Sequence, residues 1–317
     1  MSKTTIKKTT TTFSENENNT HTTEKRLEVL KTYKIYISGQ FPRTESGRYY
    51  VATNGKGDKL ANVCLSSRKD FRDAVVSARA AYGGWSARAA FNRGQILYRI
   101  AEMLEGRKAQ FIDELIKQDA TAAEAEAEVN LSIDRLIYYS GWCDKFQQVF
   151  SSVNPVASSH FNFSATEPTG LVAAIAPQNS SLIGLVSVIA PIIAGGNSCI
   201  VLASSSKPLC AVTFGEVLNS SDLPGGVVNI LTGKVSELLP FFADHMDVNA
   251  TAYCEKDPAG QQLIKEKSAL NVKRVVIYDK VDWMTDAAQS PYFIMDFQEI
   301  KTTWHPIENI GGAKAGY

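Results

Sequence analysis

The side chains of this chain that could do chemistry are five cysteines, four histidines and one uncharged loop. A cysteine thiolate is the strongest nucleophile available to a protein at neutral pH. Cys64, Cys143, Cys199, Cys210 and Cys254 show no CxxC spacing, so neither a zinc site nor a disulfide framework is indicated. They lie in strands or helices and read as small buried hydrophobes. An odd cysteine count in a large chain fits a reducing, cytoplasmic setting. His21, His160, His245 and His305 are isolated, with no HExxH pattern, and no metal site is expected. The loop Pro177-Gln178-Asn179-Ser180 follows an apolar run and leads into a helical one. A helix N-terminus offers unpaired N–H groups to an anion or a polar ligand. A tight strand-to-helix turn with no ligand explains the same residues equally well. Neither GxGxxG nor GxxxxGK[ST] occurs to support nucleotide binding.

The elements that would position these residues can be read from periodicity. Residues 1–31, rich in Thr, Asn, Lys and Glu without an apolar run, read as a disordered tail rather than a targeting signal. Residues 35–53 alternate as short strands with turns. Helical spacing is clear over 69–82, with Gly83-Gly84 as its expected end. Two helices follow to residue 118, broken at Gly106, and a long one covers 121–150. Residues 151–166 lose the helical period and read as an extended arm. Then near-continuous apolar runs alternate with helical ones. Strands are expected at 171–176, 199–203, 227–231, 249–253 and 272–278, with helices between them. Ser180 or Ser181 is the expected cap of the first of these helices. Strands apolar throughout, alternating with helices, mean a doubly wound parallel α/β sheet covered on both faces.

Composition excludes several functions. Lys plus Arg and Asp plus Glu are 33 each, which gives no electrostatic reason for a nucleic acid or anionic membrane partner. No charge falls between Pro168 and Ser206, but the longest apolar piece there, Leu182 to Ala194, is 13 residues. A membrane span needs about 20.

These elements carry a resemblance. Tyr36-Ile37-Ser38-Gly39-Gln40-Phe41 resembles a YINGEF strand, and Glu167-Pro168-Thr169-Gly170-Leu171-Val172 resembles EPVGVV. Pro177-Gln178-Asn179 stands where PWN is expected. Ala190-Pro191 through Asn197 resembles AP.LAAGN, and Leu223 through Gly233 resembles LPPGVVNVVTG. Together with the helices at 73–86 and 93–104, these stretches resemble the aldehyde dehydrogenase superfamily in order from about Lys34 to Tyr278.

The resemblance implies an NAD(P)-dependent oxidoreductase with a cysteine nucleophile in a GQxC motif. Here Gly39-Gln40, Gly94-Gln95 and Gly260-Gln261 are followed two positions later by Pro42, Leu97 and Leu263. At the position of the general-base glutamate stands Tyr278, a poor base near neutral pH. The KPSE lysine and glutamate that hold the adenosine ribose are replaced within Leu202-Ala203-Ser204-Ser205. The FTGS turn that faces the phosphates is replaced by Tyr253-Cys254-Glu255-Lys256. Asn179 remains at the oxyanion position, as a vestige. Pro177 and Asn179 are the residues left to meet a cofactor. No catalytic residue and no bound cofactor are expected, with NAD(P) binding weakened.

The family's catalytic domain would follow Asp279. Only 17 residues, Lys280 to Asp296, precede Phe297-Gln298-Glu299-Ile300-Lys301-Thr302-Thr303, which resembles the family's C-terminal oligomerisation strand YTEVKTV. Residues 280–317 are therefore read as a linker plus that strand, with strand formers over 292–304. With the arm at 151–166, it implies a Rossmann-like domain, 32–279, that keeps its oligomerisation element and lacks its catalytic domain. The expectation is a non-catalytic subunit that pairs with itself or with a full-length aldehyde dehydrogenase. It resembles the second, cysteine-less copy of tandem-duplicated members. An active oxidoreductase of divergent mechanism and a nucleotide-binding module without catalysis are the alternatives.

Overall fold

The computed structural model describes residues 29–307. The tail expected at 1–31 lies mostly outside the described residues. The chain opens with β1 (Thr32–Tyr33), β2 (Tyr49–Thr53) and β3 (Lys59–Cys64), which form a small sheet in the order β1-β3-β2. Helices α1 (Arg68–Ser86), α2 (Ala90–Glu105), α3 (Lys108–Lys117), α4 (Ala122–Trp142) and α5 (Phe146–Phe150) follow. Next come β4 (Ser152–Asn154) and β5 (His160–Pro168). The alternating part is β6 (Leu171–Ile175), α6 (Ile183–Ala194), β7 (Ser198–Leu202), α7 (Leu209–Asn219), β8 (Val228–Leu231) and α8 (Val235–Asp244). It ends with β9 (Ala250–Tyr253), α9 (Pro258–Ala269) and β10 (Arg274–Ile277). After one 3-10 turn come α10 (Tyr292–Met295) and β11 (Gln298–Pro306).

The central sheet is parallel, in the order β10-β9-β6-β7-β8. Successive residues of its strands feed two separate cores. Leu171, Ala173 and Ile175 pack with Phe71, Phe242 and Ile264 of α1, α8 and α9. Val172 and Ala174 pack with residues of α4, α6 and α7 on the other face. Both faces are covered, which is why β6 is apolar at every position and its neighbours β7, β8 and β9 nearly so. No helix among the described residues is long and apolar enough to cross a membrane.

Several boundaries differ from expectation. Helix α1 starts in a capping box between Ser67 and Asp70, but it runs through Gly83-Gly84 to Ser86. The Trp85 indole N–H donates to the Ile193 carbonyl at 3.0 Å and the ring is buried. Two helical glycines cost about 2 kcal/mol against alanine. Burying an indole of roughly 200 Å² stabilises by about 5 kcal/mol, so the tryptophan decides. The long helix expected over 121–150 is capped by Thr121 and Glu124 and is interrupted after Trp142. Residues 292–295 are one helical turn rather than strand, because Pro291 opens a turn that carries Ile294 against Gly195.

The third sheet is the arm. It is antiparallel, in the order β11-β5-β4. Strand β11 pairs with β5 over nine residue pairs, from Gln298 opposite Pro168 to Pro306 opposite His160. After Gln298 every residue of β11 is exposed, Ile300 at 62% and Trp304 at 57%. Among the described residues nothing pairs with its outer side.

The connection between β10 and β11 is not a loose linker. Arg135 of α4 is wholly buried. Its guanidinium donates to the carbonyls of Ala288 (3.0 Å), Thr285 (3.1 Å) and Trp283 (3.4 Å), and to the Ser187 hydroxyl (2.6 Å). Trp283 and Phe293 pack on Tyr278 with ring centroids 6.0 and 5.1 Å away. The segment 280–296 thus seals one flank of the sheet, at the place in the chain where the resemblance puts a catalytic domain.

Candidate functional site

The carboxyl ends of the parallel strands are where ligands of such sheets bind. The loops there are Pro177–Ser181, Ser204–Lys207, Gly233-Lys234 and Cys254–Asp257. Gln178 ties three of them together. Its backbone N–H donates to Glu255 Oε1 at 2.6 Å. Its side-chain oxygen accepts from the N–H and hydroxyl of Ser205, at 2.8 and 2.9 Å. Its carbonyl accepts from the hydroxyls of Ser204 and Ser206, at 2.7 and 2.6 Å. The loop is thereby filled from within by polar side chains.

Two helix N-termini at this edge are occupied by carboxylates. The helix after Asn179 begins at Ile183, later than a Ser180 or Ser181 cap would place it. Instead Glu128, reaching across from α4, accepts from the N–H groups of Leu182 (2.9 Å) and Ile183 (3.0 Å). The Ser180 hydroxyl accepts one turn in, from Gly184 N–H at 2.8 Å. At α9, Asp257 accepts from Ala259 and Gly260 N–H, and from the Tyr253 hydroxyl at 3.2 Å. A carboxylate at a helix N-terminus satisfies the same N–H groups and dipole that would draw an anionic ligand. Gly260 is required, since a Cβ there would strike Tyr253 and Asp257.

The structure separates the two residues that the sequence singled out. Pro177 is buried against Gly184, whereas Asn179 is exposed. Asn179 lines a cavity of about 400 Å³ with Glu128, Ser180, Lys256, Lys280 and Trp283. A different cavity, about 510 Å³, lies beyond Gln178 and is lined by Ser205, Ser206, Lys234, Glu255 and Asp257 among others. Neither Pro177 nor Asn179 reaches it. Sequence reasoning missed Gln178 and Glu128. Apart from the Ala176 carbonyl, the partners of their side chains are 25 or more positions away, and only the acidic start of the α4 sequence hinted at a carboxylate.

No thiol here is poised for attack. All five cysteines are reduced and buried. Burial pushes the Cys143 thiol up to about 12. Burial likewise raises Cys199, Cys210 and Cys254 well above the ordinary thiol range. Tyr278 follows β10, packs against Trp283 and donates to Asp296 at 2.6 Å. Burial is the main cause of its strongly raised pKa, with the Asp296 charge adding to it. Burial also raises Asp296, against the opposing hydrogen bond from Tyr278.

The comparisons with known proteins agree with this scaffold. The model of the aldehyde dehydrogenase family matches residues 41–278. The chain belongs to the aldehyde dehydrogenase family. It is 29% identical to the cytosolic 10-formyltetrahydrofolate dehydrogenase of Xenopus laevis over 249 residues, which is 77% of this chain and 28% of that protein. The corresponding Mus musculus protein is 30% identical over 261 residues, or 79% of this chain and 28% of the relative. PnpE from Pseudomonas sp. WBC-3 superposes with a TM-score of 0.73 at 26% identity, covering 78% of this chain and 50% of that one. The chain therefore spans little more than a quarter of these curated relatives and half of that solved structure.

Proposed function

We propose that this chain is a non-catalytic aldehyde dehydrogenase-like subunit that assembles through its antiparallel arm, either with itself or with a full-length aldehyde dehydrogenase. The observation that carries the reading is a contrast in occupancy. The site edge of the sheet is filled by the chain's own Glu128, Glu255, Asp257 and Gln178, while β11 keeps an open edge and exposed Ile300 and Trp304. Oxidation of an aldehyde through a covalent intermediate needs an accessible thiolate, and the described cysteines are buried thiols. A dinucleotide diphosphate needs free N–H groups and close backbone approach. The carboxylates at α6 and α9 do not fit it, and we assign no cofactor. A reducing, cytoplasmic setting accords with five unpaired cysteines.

A tagged chain recovered from its own cells tests the reading. Recovery of a dimer of the chain, or of the chain with an aldehyde dehydrogenase, supports it. A chain that is monomeric and alone overturns it, as does NAD(P)-dependent turnover of propanal above background. A second reading, a nucleotide-binding module without catalysis, draws on the cavity of about 510 Å³ beside Lys234. Calorimetry giving a micromolar dissociation constant for NAD would favour it over a pure scaffold.

A further inference from the structure

We infer that β11 pairs with β11 of a second copy of this chain, antiparallel, about a two-fold axis at Thr302. The inference rests on the assembling role proposed above and deepens it by naming the partner and the register.

Hydrogen-bond direction comes first. Thr169 N–H donates to the Phe297 carbonyl, and Ile307 N–H donates to the Ser159 carbonyl. In an antiparallel ladder the residues that bond inward alternate with those that bond outward. The register with β5 runs without a shift, so odd-numbered residues of β11 bond inward. Ile300, Thr302 and Trp304 therefore direct their N–H and C=O groups outward. Pro306 has no N–H and ends the free ladder. The outer edge is thus a short, defined template rather than an open-ended one.

Symmetry, charge and the free backbone groups then select the register. A two-fold axis between antiparallel strands keeps each residue on its own face, so the axis must pass through a residue position. An axis at Ile300 would set Glu299 against Lys301, but it needs the Gln298 carbonyl, which already accepts from Arg274 at 2.7 Å, and leaves Trp304 opposite Asp296, outside the strand. An axis at Lys301 would place the two Lys301 ammoniums directly opposite, which is unfavourable. An axis at Thr303 would set Lys301 against His305 and Ile300 against Pro306. An axis at Thr302 sets Thr302 against Thr302, Ile300 against Trp304 twice, and Glu299 against His305 twice. It also makes all three outward-facing residues hydrogen-bonded pairs. Ile300, Thr302 and Trp304 share one face of the arm, and the Thr302 hydroxyl is held at 2.8 Å from Ser164. The apolar side chains exposed by the single chain are the ones this pairing covers.

Single-cysteine cross-linking reads the register, because the chain's own cysteines are buried. Opposed residues of a hydrogen-bonded pair have Cα atoms about 5.5 Å apart, within disulfide reach. Residues one step off the axis lie about 8 Å from their own copies, outside it. Under mild oxidation Thr302→Cys is expected to link to itself at least about ten-fold faster than Lys301→Cys or Thr303→Cys. Those two variants, silent alone, are expected to link when mixed, since 301 faces 303. Thr302→Lys, at an exposed position, is expected to abolish the dimer in light scattering with an unchanged circular dichroism spectrum.

Self-linking by Lys301→Cys or Thr303→Cys alone would overturn the register. A dimer by light scattering with no cross-link from any variant would overturn the inference and leave the assembling role standing. So would a monomeric chain that co-purifies with a full-length enzyme. A monomer that binds neither would overturn both.

Discussion

The ligand edge of the parallel sheet and the outer edge of the arm have opposite fates in one chain. At the first, the backbone groups that could meet a ligand are paired within the chain: Glu128 from α4, Glu255 and the serines beyond β7 meet groups far along the sequence, and Asp257 caps its own helix. At the second, a nine-residue strand has a strand partner on one side only among the described residues. A site can be lost without exposing polar backbone if local side chains take over its hydrogen bonds. A strand edge keeps a row of N–H and C=O groups that can serve as a template for another strand unless something blunts or covers it. The contrast is the basis of the assembling role proposed above.

The comparison can be broken or sharpened by substitution, and the largest effect is expected at the seal. Arg135→Ala leaves three carbonyls and a hydroxyl without their donor in a dry core, and stability should fall by about 3–5 kcal/mol. Trp283 emission should shift to the red in the native baseline. Urea unfolding with fluorescence detection checks both, and a loss under 1 kcal/mol, about the size of a single hydrogen bond, would mean the clamp is dispensable. Glu114 offers a smaller, pH-dependent effect. It is buried and accepts from Tyr33 and Thr213, both at 2.7 Å. Burial raises its pKa, and those two hydrogen bonds oppose the rise. A raised folded-state pKa gives stability that is full below the unfolded value and is lost as pH rises through the folded one. Glu114→Gln should therefore gain on wild type as pH rises above the ordinary carboxyl value of 4.5. A difference in midpoint that stays constant with pH would refute the raised pKa.

Two further substitutions test the closed edge. Glu128→Ala should cost about 1–2 kcal/mol, since two N–H groups at a helix start lose a charged acceptor. Asp257→Ala should cost about 1 kcal/mol as a lost N-cap. Neither should alter the oligomeric state, and a change in sedimentation would tie the two regions together. The smallest effect belongs to the arm. Lys301 and Glu167 form an exposed pair at 3.1 Å, and Glu167→Gln should move stability by less than about 0.5 kcal/mol. A larger loss in the melting curve would show that the pair is not simply solvent-screened.

Much of the fold was legible because burial on both faces writes itself into composition. The runs at 171–176, 199–203 and 227–231 could be nothing but central strands, and each lies within one residue of its expected end. Helix ends were less legible wherever a tertiary contact outweighed local propensity, as when Trp85 carries α1 past two glycines. The site was legible only as a set of absences. The missing thiol, the tyrosine at 278 and the replaced phosphate turn are all visible in the letters. What fills the space is not, because Glu128 meets Leu182 across 54 positions and Arg135 meets Ala288 across 153. No local pattern encodes such a meeting.

Pro306 has a consequence for behaviour in bulk. The arm's other border, β4, is three residues long and offers little template. In the pairing inferred above, the two-fold mate would consume the arm's single usable side and Pro306 would deny a donor to the end of the ladder, so growth would stop at two arms. The same exposed aromatic strand without that stop would be a seed for fibres. Closure about a two-fold axis, with an imino acid at the end of the ladder, would thus separate a finite particle from a polymer.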